Sequence, residues 1–342
     1  LTLLQQLAKT SAHIPAAEPP EGGVAPVPVQ APSLILAIEE PELYQHPTKQ
    51  RHFTSVLRAL SNGTLPGVEG STQVMFGSHS PMFVSMDKAD EIRLVRRVQS
   101  DEGEFKQCEL RSLDLTTVAT ELEQAWQKPA GFFTAESLKP RLHILGTELA
   151  EGFFANGIVL VEGRSDKAML HATAKLLGLS FEEAGIAVLS AEGKGNLDKP
   201  YAIFRALGIP TYILWDCDLG KKEAAANLAL MRLISGDLNL TSAPISTLLT
   251  EHYAHFEDTL ETLLKAEMTP EIHQVCLAAA CDPFGLTPNE DNHKVPEVMY
   301  RTLVAAQQQG KTCATLEALV LAIWGHLVAD PSSQASPAEP DC

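Results

Sequence analysis

Cysteine pairs at metal-ligand spacing are missing from this sequence: Cys108, Cys217, Cys276, Cys281, Cys313 and Cys342 are scattered over 342 residues. That argues against a cysteine metal site and fits a reduced, cytoplasmic setting. Positive charge is scarce as well, with 26 Lys and Arg against 43 Asp and Glu, a formal charge of −17. A polyanion is repelled at long range by such a chain unless local basic patches or bound metal ions intervene. On charge alone, an acidic enzyme with a small-molecule substrate fits equally well. No stretch is uniformly apolar over membrane-spanning length; the most apolar run, residues 316–329, contains Glu317 and His326 and reads as a core helix. No signal peptide is visible. Also absent is a Gly-x-x-x-x-Gly-Lys-Ser/Thr loop following a strand. Gly310-Lys311-Thr312 comes nearest, but Ala305 stands where the first glycine belongs and the flanks read as helices.

What is present is an ordinary globular composition, 45% hydrophobic and 20% charged, long enough for two domains. Leu1 already stands in helix-like sequence (residues 1–9), which reads as the C-terminal part of a longer chain. Residues 14–32 hold six prolines among Ala, Gly and Glu and read as a flexible, solvated loop. Then Leu34-Ile35-Leu36-Ala37-Ile38 reads as a buried strand ending in Glu39-Glu40-Pro41-Glu42. A helix over 48–61 follows, then a strand over 73–77 ending in Gly77-Ser78-His79-Ser80-Pro81, and a third strand over 91–98 closes the block. Apolar strands that end in polar residues and alternate with helices indicate a parallel sheet with its working edge at the strand ends. Two helices, 113–127 and 135–154, then form a connector.

Four more strand–helix steps follow. Ile158-Val159-Leu160-Val161 ends in Glu162 before a helix capped by Ser165. A strand over 186–190 leads into Ala191-Glu192-Gly193-Lys194-Gly195-Asn196, and one over 211–215 leads into Asp216-Cys217-Asp218 and a helix over 221–234. A strand over 252–256 ends in Glu257-Asp258. This alternation predicts a doubly wound sheet with helices on both faces.

Acidic side chains gathered at strand ends are costly to hold together unless a cation neutralises them. Asp216 and Asp218, two apart, face one way if the segment stays extended. Asp166 lies about one helical turn beyond Glu162. With Glu257 these are enough oxygen ligands for two hard cations about 4 Å apart, the arrangement that clamps the attacking and leaving oxygens of a phosphodiester. Gly193 and Gly195 allow backbone to approach a phosphate, with Lys194 adding charge. Plainer readings stand beside these: Asp166 as a helix-N-terminal charge, Asp218 as a helix cap, Lys194 as a solvated turn lysine.

Together the motifs resemble a known family. Residues 34–42 look like the Walker B strand of ABC-type ATPases, and residues 77–81 like their switch-histidine loop. The Glu-Glu-Pro-Glu form is typical of the overcoming-lysogenization-defect (OLD) family and of Rad50-like ATPases. Glu162 and Asp216/Asp218 resemble the signatures of the Toprim domain, and the Glu162-to-Asp166 spacing resembles its OLD form. The resemblance implies an α/β chain: a partial ABC-ATPase lobe over 1–110, a helical connector over 111–156, a Rossmann-like, doubly wound Toprim domain over 157–268, a helical appendage over 269–330 and a disordered tail over 331–342. It implies that Glu39 helps hold Mg²⁺, Glu40 polarises the attacking water and His79 senses the γ-phosphate, with ATP bound only in the complete protein and no ATP hydrolysis by this chain alone. In the Toprim domain it implies Mg²⁺ or Mn²⁺, two ions per site, held by Glu162, Asp166, Asp216, Asp218 and either Glu257 or Asp258, with Glu162 catalytic. Lys294 is the best match to a lysine that stabilises the pentavalent phosphate; as a plain residue it reads as an exposed loop lysine. The implied activity is DNA cleavage by a homodimer, with prophage or anti-phage roles and no membrane. Three alternatives remain: a primase-like polymerising Toprim, for which no additional nucleotide-binding domain is visible, a phosphohydrolase acting on nucleotides, and a non-catalytic Mg²⁺-binding regulatory or dimerisation module.

Overall fold

The computed structural model describes residues 34–65, 72–99, 106–143, 146–218 and 224–328. The helix expected over 1–9, the loop over 14–32 and the tail over 331–342 lie outside them. The chain divides into two units, Leu1–Val84 and Ser85–Cys342.

In the first unit β1 (Leu34–Glu39) and β2 (Thr72–Gly77) pair in parallel, Leu34 opposite Thr72 through Glu39 opposite Gly77. Helix α1 (Pro47–Ser61) connects them. Pro47 opens it, where a missing N–H costs nothing, and Val56, Leu57 and Leu60 form its buried stripe. Phe53 and Phe76 both meet Phe83 edge-on. The strand expected to be buried is covered on one side only. Its side chains alternate between faces, and on the outer face Ile35 is 69% and Met75 66% exposed.

The second unit opens with β3 (Leu94–Gln99) and β4 (Lys106–Arg111), an antiparallel pair. The third strand expected to close the first block is therefore half of a separate hairpin. Arg96 Nη2 ties that hairpin down by donating to the Ala155 carbonyl at 2.7 Å. Two helices follow, α2 (Leu115–Ala125), capped by the Asp114 carboxylate accepting the Thr116 N–H, and α3 (Ala135–His143). The helix expected over 135–154 does not run through. Gly146 adopts a positive φ of 73°, and the chain restarts as a 3₁₀ turn over Leu149–Phe154.

The core is a five-stranded sheet built from β5 (Gly157–Val161), β6 (Ile186–Ser190), β7 (Thr211–Asp216), β8 (Leu248–Leu249) and β9 (Tyr253–Phe256), in spatial order β6-β5-β7-β9-β8. All neighbours run parallel except the short edge strand β8. Every residue of β5 is buried, as a central parallel strand covered on both faces requires. On one face Val159, Val161, Tyr212 and Leu214 pack with α4 (Arg164–Leu176) and α10 (Ala314–Val328). On the other, Ile158 meets Gly152 and Phe204 of α5 (Asp198–Ala206). Helices α6 (Ala224–Ser235), α7 (Leu260–Met268), α8 (Pro270–Cys281) and α9 (Pro296–Gln308) complete the unit. The chain leaves β5 toward β6 and returns past it to β7. The crevice beyond the ends of β5 and β7 is thus the switch point at which open α/β sheets place their ligands.

Candidate metal centre

Carboxylates at the ends of four elements meet at that crevice. Glu162 follows the last residue of β5, and its Oε1 accepts the Asp216 N–H at 2.9 Å, spanning from one strand end to the next. Asp166 stands in the first turn of α4. Its Oδ2 accepts the Gly163 N–H at 2.9 Å, so the helix starts at Arg164 and this carboxylate, not Ser165, serves its N-terminus. Asp216 is the last residue of β7. Glu261 sits in the first turn of α7, where Thr259 Oγ1 accepts the Thr262 N–H at 3.1 Å and fixes the start of the helix. One oxygen each of Asp166, Asp216 and Glu261 lies within 4.8 Å of the others.

Burial above all, with the neighbouring Asp166, Glu162, Glu261 and Asp218 adding to it, pushes the Asp216 carboxyl up to about 9. Burial likewise lifts Asp166 to about 7, against the opposing pull of the Gly163 amide, with Glu261 and Glu162 adding smaller upward pushes. Without a cation these groups keep protons that isolated carboxyls have lost. An all-oxygen donor set of this kind suits a hard divalent ion, which would take the place of those protons.

Asp218 is not one of this trio. It adopts φ +51°, so the segment does not stay extended through it. The turn is held on both sides of Cys217, whose N–H donates to the Phe256 carbonyl at 2.7 Å and whose carbonyl accepts Asn227 Nδ2 at 2.8 Å. Asp218 Oδ2 instead receives Lys194 Nζ at 2.8 Å, and the same ammonium is 4.0 Å from Glu162 Oε1. Lys194 is not the solvated turn lysine of the plain reading: only 4% of its side chain is exposed. Gly193, at φ +124°, adopts a backbone that side chains resist, and its N–H donates to the Glu162 carbonyl at 2.8 Å. A Cβ at Gly193 or Gly195 would meet nothing within 4 Å, which leaves open space beside the loop.

Glu257 and Asp258, expected to supply the additional ligand, are both exposed. The Glu257 N–H donates to Thr247 Oγ1, and Asp258 Oδ2 accepts from Thr262 Oγ1. Neither joins the trio; Glu261, which the sequence reading missed, stands there instead. A signal was available, because Glu261 follows the strand-end Glu257 by four positions as Asp166 follows Glu162. Lys294 is exposed and paired with Asp291 at 2.8 Å; Asp291 raises its pKa, Arg164 opposes the rise, and Glu261 adds the smallest upward push.

In the first unit, Glu39 ends β1 and Glu40 follows at φ +45°. Glu42 accepts from Ser78 Oγ at 2.9 Å and from the His79 N–H at 2.7 Å, fastening the two loops together. His79 Nε2 then lies 4.0 Å from Glu40 Oε1.

Comparison with known proteins finds two family models that match parts of the chain. Residues 153–218 match the model described as overcoming lysogenization defect protein-like, TOPRIM domain. That stretch is similar to an OLD-like Toprim domain. The matched span holds Glu162, Asp166, Lys194, Asp216 and Asp218 and ends before Glu261. Residues 29–84 match an AAA ATPase domain, the stretch that contains Glu39, Glu40 and His79. The architecture is thus α/β, an AAA-like segment followed by the Toprim sheet and its helices. The Old nuclease of Escherichia phage P2 is 27% identical over 187 residues, 54% of this chain and 28% of that protein. The OLD nuclease of Thermus scotoductus is 26% identical over 185 residues, 53% of this chain and 30% of that protein. The match thus spans less than a third of either relative's length. Two solved structures are also similar. The C-terminal region of the Xanthomonas campestris pv. campestris OLD protein is 21% identical with a TM-score of 0.35, covering 53% of this chain and 97% of that one. The C-terminal region of the Burkholderia pseudomallei OLD protein is 22% identical with a TM-score of 0.32, covering 52% of this chain and 98% of that one. Among the described residues no helix is long and apolar enough to cross a membrane.

Proposed function

We propose that this chain is the catalytic part of a nuclease that hydrolyses DNA phosphodiesters with Mg²⁺ or Mn²⁺. The observation that carries the reading is the convergence of Asp166, Asp216 and Glu261, from three separate elements, to within 4.8 Å at the sheet's switch point. Two relatives named as nucleases and the OLD-like Toprim match support it. A divalent ion bound there supplies Lewis-acid stabilisation of the phosphate and a water of lowered pKa.

The chain's own residues set the stage for that ion. Glu162 braces β5 against β7 through the Asp216 amide, which holds the Asp216 carboxylate in place. Gly193 and Gly195 leave room for a phosphodiester at the loop. Lys294 offers an ammonium at the rim, where negative charge builds on the phosphate. Asp218 and Glu162 furnish a second acidic position, in keeping with a two-ion site. DNA is the proposed substrate despite the charge of −17, because cations at the site cancel its local repulsion. A homodimer in a cytoplasmic setting, with ATP acting through the complete protein, belongs to the same reading, as do the domain limits given from sequence.

The test is supercoiled plasmid incubated with the chain and Mn²⁺. Wild type is expected to nick it, and Asp216→Asn and Glu162→Ala to do so at least about 100-fold more slowly, the scale of losing a principal stabiliser of the transition state. Equal nicking by wild type and variants, or none, overturns the nuclease and leaves the metal-binding module. Release of phosphate from a nucleotide with the plasmid intact selects the phosphohydrolase.

A further inference from the structure

The acids at the crevice fall into two groups with opposite surroundings. Asp166, Asp216 and Glu261 face one another, and among the described residues no Lys, Arg or His forms an ion pair with any of them. Asp218 and Glu162 share a cation already: Lys194 Nζ stands 2.8 Å from the first and 4.0 Å from the second. The lysine is built in rather than draped over the surface. It opens the 3₁₀ turn Lys194–Asn196 straight after Gly193, whose N–H is bonded to the Glu162 carbonyl. Asn196 Nδ2 closes the same loop by donating to the Ala191 carbonyl at 3.0 Å. A buried ammonium persists only when paired, so this contact is part of the folded loop. An ammonium and a divalent ion compete for the same carboxylate oxygens and repel each other across so short a distance.

We propose that Lys194 is a resident counter-cation for the Asp218–Glu162 half of the site, so that divalent ions load unequally: one tightly at Asp166, Asp216 and Glu261, and a second weakly, only as Lys194 withdraws. The inference rests on the metal-dependent reading above and specifies how that site is regulated. A phosphodiester entering beside Gly193 offers Lys194 another anion, which couples completion of the site to arrival of substrate.

The experiment is titration of the full chain with Mn²⁺ alone, following free Mn²⁺ by electron paramagnetic resonance. Wild type should show two steps at least 10-fold apart in affinity. Lys194→Met should tighten the weaker step at least 10-fold and leave the tighter one within about twofold. Lys194→Arg should retain the wild-type spacing. A merely structural lysine gives a different result, since its loss weakens both steps. Should Lys194→Met fail to fold, Asp218→Asn decides: it should abolish the weak step and spare the tight one. Two wild-type steps within threefold of each other, an unmoved weak step in Lys194→Met, or equal weakening of both steps in Asp218→Asn overturns the unequal loading alone. A wild-type chain that binds no Mn²⁺ removes the metal reading beneath it as well.

Discussion

Asp216 is the residue at which burial and like charge act in the same direction. Its carboxyl, raised to about 9, keeps a proton that the unfolded chain gives up near pH 4. Between those values the folded metal-free chain holds more protons than the unfolded one, so stability declines as pH rises. It is highest below the unfolded pKa and is lost progressively toward pH 9, by about 1.4 kcal/mol per pH unit for one proton. Thermal melts in EDTA at pH 5, 7 and 9 should show that decline, and Asp216→Asn should flatten it; a wild-type profile with no slope contradicts the placement. In Mn²⁺ the same carboxyls must release protons to bind, so metal affinity should climb over the same range. Glu261 carries a second expectation. Glu261→Gln should weaken the tight Mn²⁺ step at least about 10-fold, whereas Glu257→Gln should shift it by less than about threefold, the size of contrast that loss of a site-supporting group produces. An equal effect of the two restores the strand-end residue as ligand. The sequence made Glu162, Asp166, Asp216 and Asp218 legible because each lies at or just past an apolar strand. Glu261 looked like an ordinary first-turn acid of a helix, and only the packing of α7 against the crevice distinguishes it from Glu257.

At the scale of elements, the site is as good as the helix starts that aim it. The first turn of α7 is fixed by the Thr259 hydroxyl on the Thr262 amide. Thr259→Ala should cost about 1 kcal/mol in a denaturant melt, the usual loss for such a cap, and should also weaken Mn²⁺ binding because Glu261 rides on that turn. Loss of stability with unchanged affinity would separate the cap from the site. Deeper in, Leu160 is wholly buried in β5, and Leu160→Ala should cost about 2–5 kcal/mol by transfer and cavity effects together. Strands β5, β6, β7 and β9 were readable as short apolar runs bounded by polar residues. Strand β4, Lys-Gln-Cys-Glu-Leu-Arg, was not, because Cys108 and Leu110 alone make too short an apolar alternation among charged and polar residues, and pairing with β3 defines it. The break after α3 was missed for a related reason. The apolar spacing continues through residue 154, while the backbone turns at Gly146.

At the scale of the whole chain, the division after Val84 separates two pieces of unequal means. The described part of the first holds a two-stranded sheet and a single helix, with Ile35 and Met75 on an uncovered face. Such an assembly buries too little apolar surface to offset the entropy of ordering its chain. The second holds the five-stranded sheet, helices against both faces and every acid of the crevice. Its core draws on β5, α4, α9 and α10 together, all of them within the second unit. A fragment of residues 85–342 should therefore melt in a single transition and titrate with Mn²⁺ as the full chain does, within about twofold in the tight step. A fragment of residues 1–84 should show no cooperative transition, because among its described residues nothing covers the exposed strand face. Calorimetry on the two fragments checks both statements. A broad, non-cooperative melt of the longer one would mean that its core depends on the first unit, and the metal centre would then have to be treated as a property of the undivided chain.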